Sequence, residues 1–192
     1  ASVRDGYFDW SNQATPDLWL MLGDNAYCSG TDAEFQMAVF DVYPQELQTV
    51  APWPVIGNHD AISSDSTTQS GPFFDMFSLP AAGEAGGVGS GTEAYFSYNS
   101  GDLHVVQLDS ADSDTTPGSL MLTWLAADLA ANTRAWTIVD FHHPPYTKGT
   151  HNSDNPADSG GIMQRMRENV VPILEAHGVD LVITGHSHGY ER

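Results

Sequence analysis

Asp24, Asn58-His59, His142-His143 and His186-Ser187-His188 each stand at the end of a short apolar, strand-like run. A carboxylate, an amide oxygen and several imidazoles form the donor set that borderline transition metals accept. A carboxylate can also bridge two ions, the arrangement on which two-metal hydrolysis depends. In an open α/β sheet the carboxyl ends of the strands form the edge where ligands bind, so these clusters, distant in sequence, are expected to converge in space. His186 and His188 are one residue apart and follow a buried strand, so both point the same way off its end.

The elements that must carry these groups alternate between strand and helix patterns. Residues 17–22 read as a strand stopping at Gly23-Asp24, and 54–56 as one running into Gly57-Asn58-His59-Asp60. Between them, 31–48 places Phe35, Val39, Val42 and Leu47 near a helical period, with Pro44 disturbing its end. The Ser-, Thr- and Gly-rich stretch 61–92 reads as a long loop or lid,. Residues 94–98 and 103–108 flank Asn99-Ser100-Gly101-Asp102 in a hairpin pattern,. A helix over 119–131 precedes a strand over 135–141, whose exit at His142-His143-Pro144-Pro145 the prolines stiffen,. After a polar loop, 147–161, a helix over 162–177 is kinked or restarted at Pro172, and the last strand covers 179–184. The pattern predicts structural roles for His104 in mid-strand and His177 at a helix C-terminus,. His143 is expected beside a ligand rather than as one, and Cys28 as a small buried residue,.

With 192 residues and 41% hydrophobic side chains the chain can build one domain with a core,. Asp and Glu number 25 against 6 Lys and Arg, a formal charge of −19. A nucleic-acid partner needs clustered basic groups to neutralise phosphates, so it is disfavoured, as is an anionic membrane surface. No apolar run approaches the roughly 18–20 residues of a spanning helix. The single cysteine, Cys28, excludes an internal disulfide framework.

Gly23-Asp24-Asn25-Ala26-Tyr27, Gly57-Asn58-His59-Asp60, Val139-Asp140-Phe141-His142 and Gly185-His186-Ser187-His188-Gly189-Tyr190-Glu191-Arg192 resemble four ordered blocks of the calcineurin-like metallophosphoesterases. The tyrosine three residues after Asp24 is similar to that of the purple acid phosphatase branch. The resemblance implies an α/β fold, a mixed-sheet β-sandwich flanked by helices in four layers, with 1–192 as part of one catalytic domain. It implies that Asp24 bridges two metal ions, that Tyr27 and His188 bind the first, and that Asn58, His142 and His186 bind the second. His59 and His151 are then expected to face the substrate, His59 as proton donor to the leaving group. The implied reaction is hydrolysis of phosphate monoesters by hydroxide formed on the metal pair, with Fe(III) plus Zn, Fe or Mn as ions. The resemblance further implies a small phosphorylated molecule as substrate and a secreted or periplasmic setting. A phosphodiesterase of the same superfamily is the alternative.

The family's first block, a Gly-Asp-x-Gly on an N-terminal strand, has no counterpart here. Neither Asp5 nor Asp9 follows an apolar strand run. The chain is therefore expected to begin in the helix after that block, to be incomplete at both ends, and to lack one ligand at the first site. That lack keeps a non-catalytic metal-binding protein as the alternative of another class. The acidic charge does not oppose an anionic substrate, because two ions place about four or five positive charges where the phosphate sits.

Overall fold

Two β-sheets face each other across the core of the chain, whose computed structural model describes residues 2–11 and 14–192. After helix α1 (Ser2–Ser11), strand β1 (Trp19–Met21) pairs in parallel with β2 (Pro52–Pro54). Pro52 and Pro54 donate nothing to a ladder, and the Val55 N–H continues the pairing by donating to the Met21 carbonyl at 2.9 Å. The strand expected over 54–56 thus lies two residues earlier, leaving Val55 and Ile56 buried beyond its end.

The second sheet has the order β3 (Phe96–Ser100), β4 (Leu103–Leu108), β5 (Trp136–Phe141), β6 (Leu181–Thr184), antiparallel between β3 and β4 and parallel from β4 onward. The hairpin turns on Gly101-Asp102 alone, so Asn99 and Ser100 belong to the strand. Tyr98 stacks on Trp53 at 3.8 Å, and Gln107 Nε2 donates to the Trp53 carbonyl at 2.9 Å, joining the faces of the two sheets.

On the opposite face lies α4 (Leu120–Ala131), capped by the Ser119 hydroxyl. Its Asp128 is buried and accepts from Ser97 Oγ, His104 Nε2 and the Val88 N–H at 2.7–2.8 Å. His104 has the structural role expected of it. The stretch 61–92 is less free than a lid: it contains α3 (Pro72–Met76), and Val88 is held at both N–H and carbonyl by Asp128 and Trp124.

Two helices stop or change pitch where proline requires it. Helix α2 (Asp32–Phe35) starts with a Thr31–Glu34 capping box and continues as a π-helical turn, Gln36–Phe40. It does not reach Gln48 as expected, because the residue before Pro44 is pushed out of the helical region; only a short 3₁₀ turn, Glu46–Gln48, follows. Helix α5 (Ile162–Arg165) passes through a π-helical turn, Met166–Val170, and restarts as α6 (Val171–Ala176) with Pro172 in its first turn. The restart is what a ring without N–H demands. Among the described residues no helix is long and apolar enough to cross a membrane.

Between the sheets, Asp140 is fully buried; one carboxyl oxygen accepts from Gln107 Nε2 at 2.9 Å and the other has no partner. Burial pushes its pKa up to about 8, against the smaller opposing effect of Gln107. The unfolded chain releases this proton at about pH 3.9, so between there and about 8 the folded state binds one proton more. Stability is full below that window and falls through it by about 1.4 kcal/mol per pH unit. Asp140→Asn should flatten this fall, seen as a higher Tm of metal-free protein at pH near 8 and little change in acid. An unchanged pH profile contradicts the assignment.

Candidate metal centre

The ends of β1, β5 and β6 and the turn after β2 bring the predicted residues to one place. Asp24 follows β1, Asn58 and His59 follow β2, His142 follows β5, and His186 and His188 follow β6. His142 Nε2 lies 3.3 Å from Asp24 Oδ2, 3.1 Å from Asn58 Oδ1 and 3.2 Å from His186 Nδ1. The same Asp24 oxygen is 3.2 Å from the Tyr27 hydroxyl, which is itself 3.2 Å from His188 Nε2. Asp24 is the one residue common to both groups of donors.

Close backbone approach makes this possible. A Cβ on Gly57 would lie 2.1 Å from the Asp24 nitrogen, and one on Gly23, whose φ is +84°, would lie 2.5 Å from His142 Nδ1. Asp24 and His186 themselves have positive φ, 53° and 60°, a strain of about 1–3 kcal/mol each that accumulates at functional sites. Fully buried Asp60 clamps the two aspartate–asparagine loops together, accepting from the Asn25 N–H (3.0 Å), the Ala26 N–H (3.2 Å), the Gly57 N–H (2.9 Å) and Asn25 Nδ2 (2.9 Å).

The donors fit metal ions. His142 Nδ1 must donate to the Leu22 carbonyl at 2.8 Å, which leaves a lone pair on Nε2. In the neutral ring that lone pair faces the Asn58 carbonyl oxygen and the Asp24 carboxylate, an arrangement that repels unless a cation, either a metal ion or a proton on Nε2, lies between. Donors roughly 2.0–2.2 Å from one ion stand roughly 3.0–3.5 Å from each other, the spacing found here.

Electrostatics agrees. Burial pushes the Asp24 carboxyl up, but the hydrogen bond and charge of His142, with the His59 N–H, outweigh it and hold the group well below the usual range. Burial, then the charges of His142 and His151, pulls His186 down to about 4, so its imidazole is neutral near pH 7 and available as a donor. Burial and the Asp24 charge push the Tyr27 phenol up to about 12, so a phenolate forms there only against a strong cation.

His59 is not among the donors. Its Nδ1 donates to the Cys28 carbonyl at 2.6 Å, its ring packs on Tyr27 at 4.7 Å, and Nε2 is left free. Cys28 is exposed rather than buried, because the loop that offers this carbonyl runs over the surface. His151 stacks on His186 with ring centroids 3.9 Å apart, and the His188 N–H donates to Thr150 Oγ1 at 2.9 Å, drawing the 147–161 loop onto the centre.

Three further residues reach the centre. His143 is buried against His142 and His186, near enough that the three rings form a group able to hold a metal ion, and it bonds Ser110 Oγ at 3.0 Å. Burial, then the charges of His142 and His186, pulls its pKa down to about 2. Asp158 and Ser159, in a loop read only as polar, reach His151 and His186.

Compared with known proteins, residues 5–190 match the family described as calcineurin-like phosphoesterase. Purple acid phosphatase 18 of Arabidopsis thaliana is 32% identical over 192 residues, covering 96% of this chain and 40% of the relative. Probable inactive purple acid phosphatase 9 of the same plant is 27% identical, covering 89% of this chain and 29% of its own length. The solved purple acid phosphatase PPD1 from yellow lupin (Lupinus luteus) seeds superposes with a TM-score of 0.59 at 16% identity, over 88% of this chain and 30% of that one. The chain thus spans less than half the length of these relatives.

Proposed function

Because the chain belongs to the calcineurin-like phosphoesterase family, we propose that residues 1–192 form part of a catalytic domain that hydrolyses phosphate monoesters with two metal ions. The observation that carries this reading is the placement of Asp24 Oδ2 between two groups of donors, at 3.3 Å from His142 Nε2 and 3.2 Å from the Tyr27 hydroxyl.

Asp24, Asn58, His142 and His186 would hold one ion, and Asp24, Tyr27 and His188 the other. When bound, such ions supply positive charge to the phosphate oxygens and activate water near neutral pH. The chain's own residues do the rest. Asp24 remains ionised and links the two groups of donors. Tyr27 would release its proton to solvent only beside a strongly polarising ion, which favours Fe(III) over Zn at that position, with Zn, Fe or Mn at the other. His59, oriented by the Cys28 carbonyl, turns Nε2 to the leaving oxygen and protonates it,. His151, with Nδ1 bonded to Asp158, would bind the phosphate through a protonated Nε2 that donates to a phosphate oxygen,.

Kinetics on nitrophenyl phosphate and bis(nitrophenyl) phosphate tests the ester class. The monoester should be preferred in kcat/KM by about tenfold or more, ~1.4 kcal/mol in barrier, whereas a preference for the diester makes the protein a phosphodiesterase. The reading of a metal-binding protein without catalysis has its own support: among the described residues only Asp24, Tyr27 and His188 are gathered at the first position. Bound ions with no turnover of either ester would decide for it.

A further inference from the structure

The loop between β5 and α5 holds a chain of side-chain hydrogen bonds that lies behind the rings of His151 and His186. His151 Nδ1 bonds Asp158 Oδ1 at 2.9 Å, Ser159 Oγ bonds the same oxygen at 3.0 Å, and Ser159 Oγ bonds His186 Nε2 at 2.7 Å. The second Asp158 oxygen accepts from the Asn152 N–H at 2.8 Å, fixing the carboxylate to its loop.

The directions of these bonds follow from chemistry. An ionised carboxylate only accepts, so the Ser159 proton and the His151 Nδ1 proton both point to Asp158. With its proton committed, the Ser159 oxygen can only accept from His186, which puts the His186 proton on Nε2 and leaves the lone pair on Nδ1. That nitrogen is the one lying 3.2 Å from His142 Nε2, on the side of the proposed ligands. In the same way His151 is left with a free Nε2. The two rings stack with centroids 3.9 Å apart at 22°.

Building on the assignment of His186 as ligand and His151 as substrate-facing, we infer that Asp158 is a positioning residue that sets the tautomers of both histidines at once, directly for His151 and through Ser159 for His186. Ser159 adopts φ of +51° to reach between them. Partners of this kind behind a metal-bound histidine change metal affinity by about 10–100-fold. The consequence is a coupling: the group that makes His186 a ligand also aims the histidine that meets the phosphate.

The test uses nitrogen-15 spectra of the histidine rings in metal-free protein in mildly alkaline buffer, together with zinc titration and steady-state kinetics on nitrophenyl phosphate. In the wild type His186 should carry its proton on Nε2 and His151 on Nδ1. Ser159→Ala should mix the His186 tautomers alone and weaken zinc binding by about 10–100-fold. Asp158→Ala should disturb both rings and also raise KM at saturating zinc, an increase that disappears in a His151→Ala background. Wild-type tautomers opposite to these, or ring signals unmoved by Ser159→Ala, overturn the inference whether or not zinc binds. Unchanged zinc affinity in Ser159→Ala beside a zinc-binding wild type overturns the His186 arm, and multiplying KM effects of Asp158→Ala and His151→Ala overturn the other. A wild type that binds no zinc instead refutes the metallohydrolase reading, and the ring spectra still decide the tautomers.

Discussion

Asp24→Asn should leave the chain folded but without its ions, and lower phosphate-ester turnover on the order of 10³-fold or more, the several kcal/mol that metal ions contribute to such reactions. The size of the effect follows from position. One oxygen of Asp24 is within 3.3 Å of donors on both sides, so removing its charge weakens two sites together. The substitution keeps the side chain's shape, and Asn can still accept from the His59 N–H that now reaches Asp24 Oδ1 at 2.9 Å. Loss of fold is therefore not expected, although the metal-free variant should melt below the metal-free wild type, which alone keeps the carboxylate's hydrogen bond and charge interaction with His142,. Metal analysis and kinetics check the result; retention of both ions with near-normal turnover would remove Asp24 from the bridging role.

The second large effect belongs to His59. His59→Ala should lower turnover of alkyl phosphates by about 10²–10⁴-fold, the usual contribution of a positioned general acid, while the bound ions remain. The ring bonds the Cys28 carbonyl rather than any proposed ligand, so the donors should survive its loss. The deficit should be much smaller with nitrophenyl phosphate, because nitrophenolate leaves without needing a proton. Equal losses on both substrates would assign His59 to phosphate binding instead, and loss of metal would make it a ligand.

Much of the centre was legible in the sequence because its donors sit where strands end. Asp24, His142 and His186 follow β1, β5 and β6 within a few residues, and the direction of a parallel strand fixes the edge at which its last residues appear,. Local signals also placed Ser119 at a helix start, the hairpin at Gly101 and the restart at Pro172. What stayed hidden depends on contacts between distant segments. The role of Asp60 requires the loops after β1 and β2 to lie side by side. Asp158 and Ser159 acquire partners only when the 147–161 loop folds back on β6. Composition favours burial of a cysteine, whereas Cys28 is exposed and its carbonyl orients His59,. The 31–48 helix was overextended because apolar spacing continued past the point where Pro44 breaks the backbone.

On the proposed function an acidic protein meets an anionic substrate through bound ions, so the most direct measurement is metal content set against activity. Protein loaded with iron and zinc, freed of loosely bound ions and assayed on nitrophenyl phosphate should hold two ions per chain, turn over, and lose both properties together on chelation. One ion or none, with no turnover, contradicts the two-metal account for this chain.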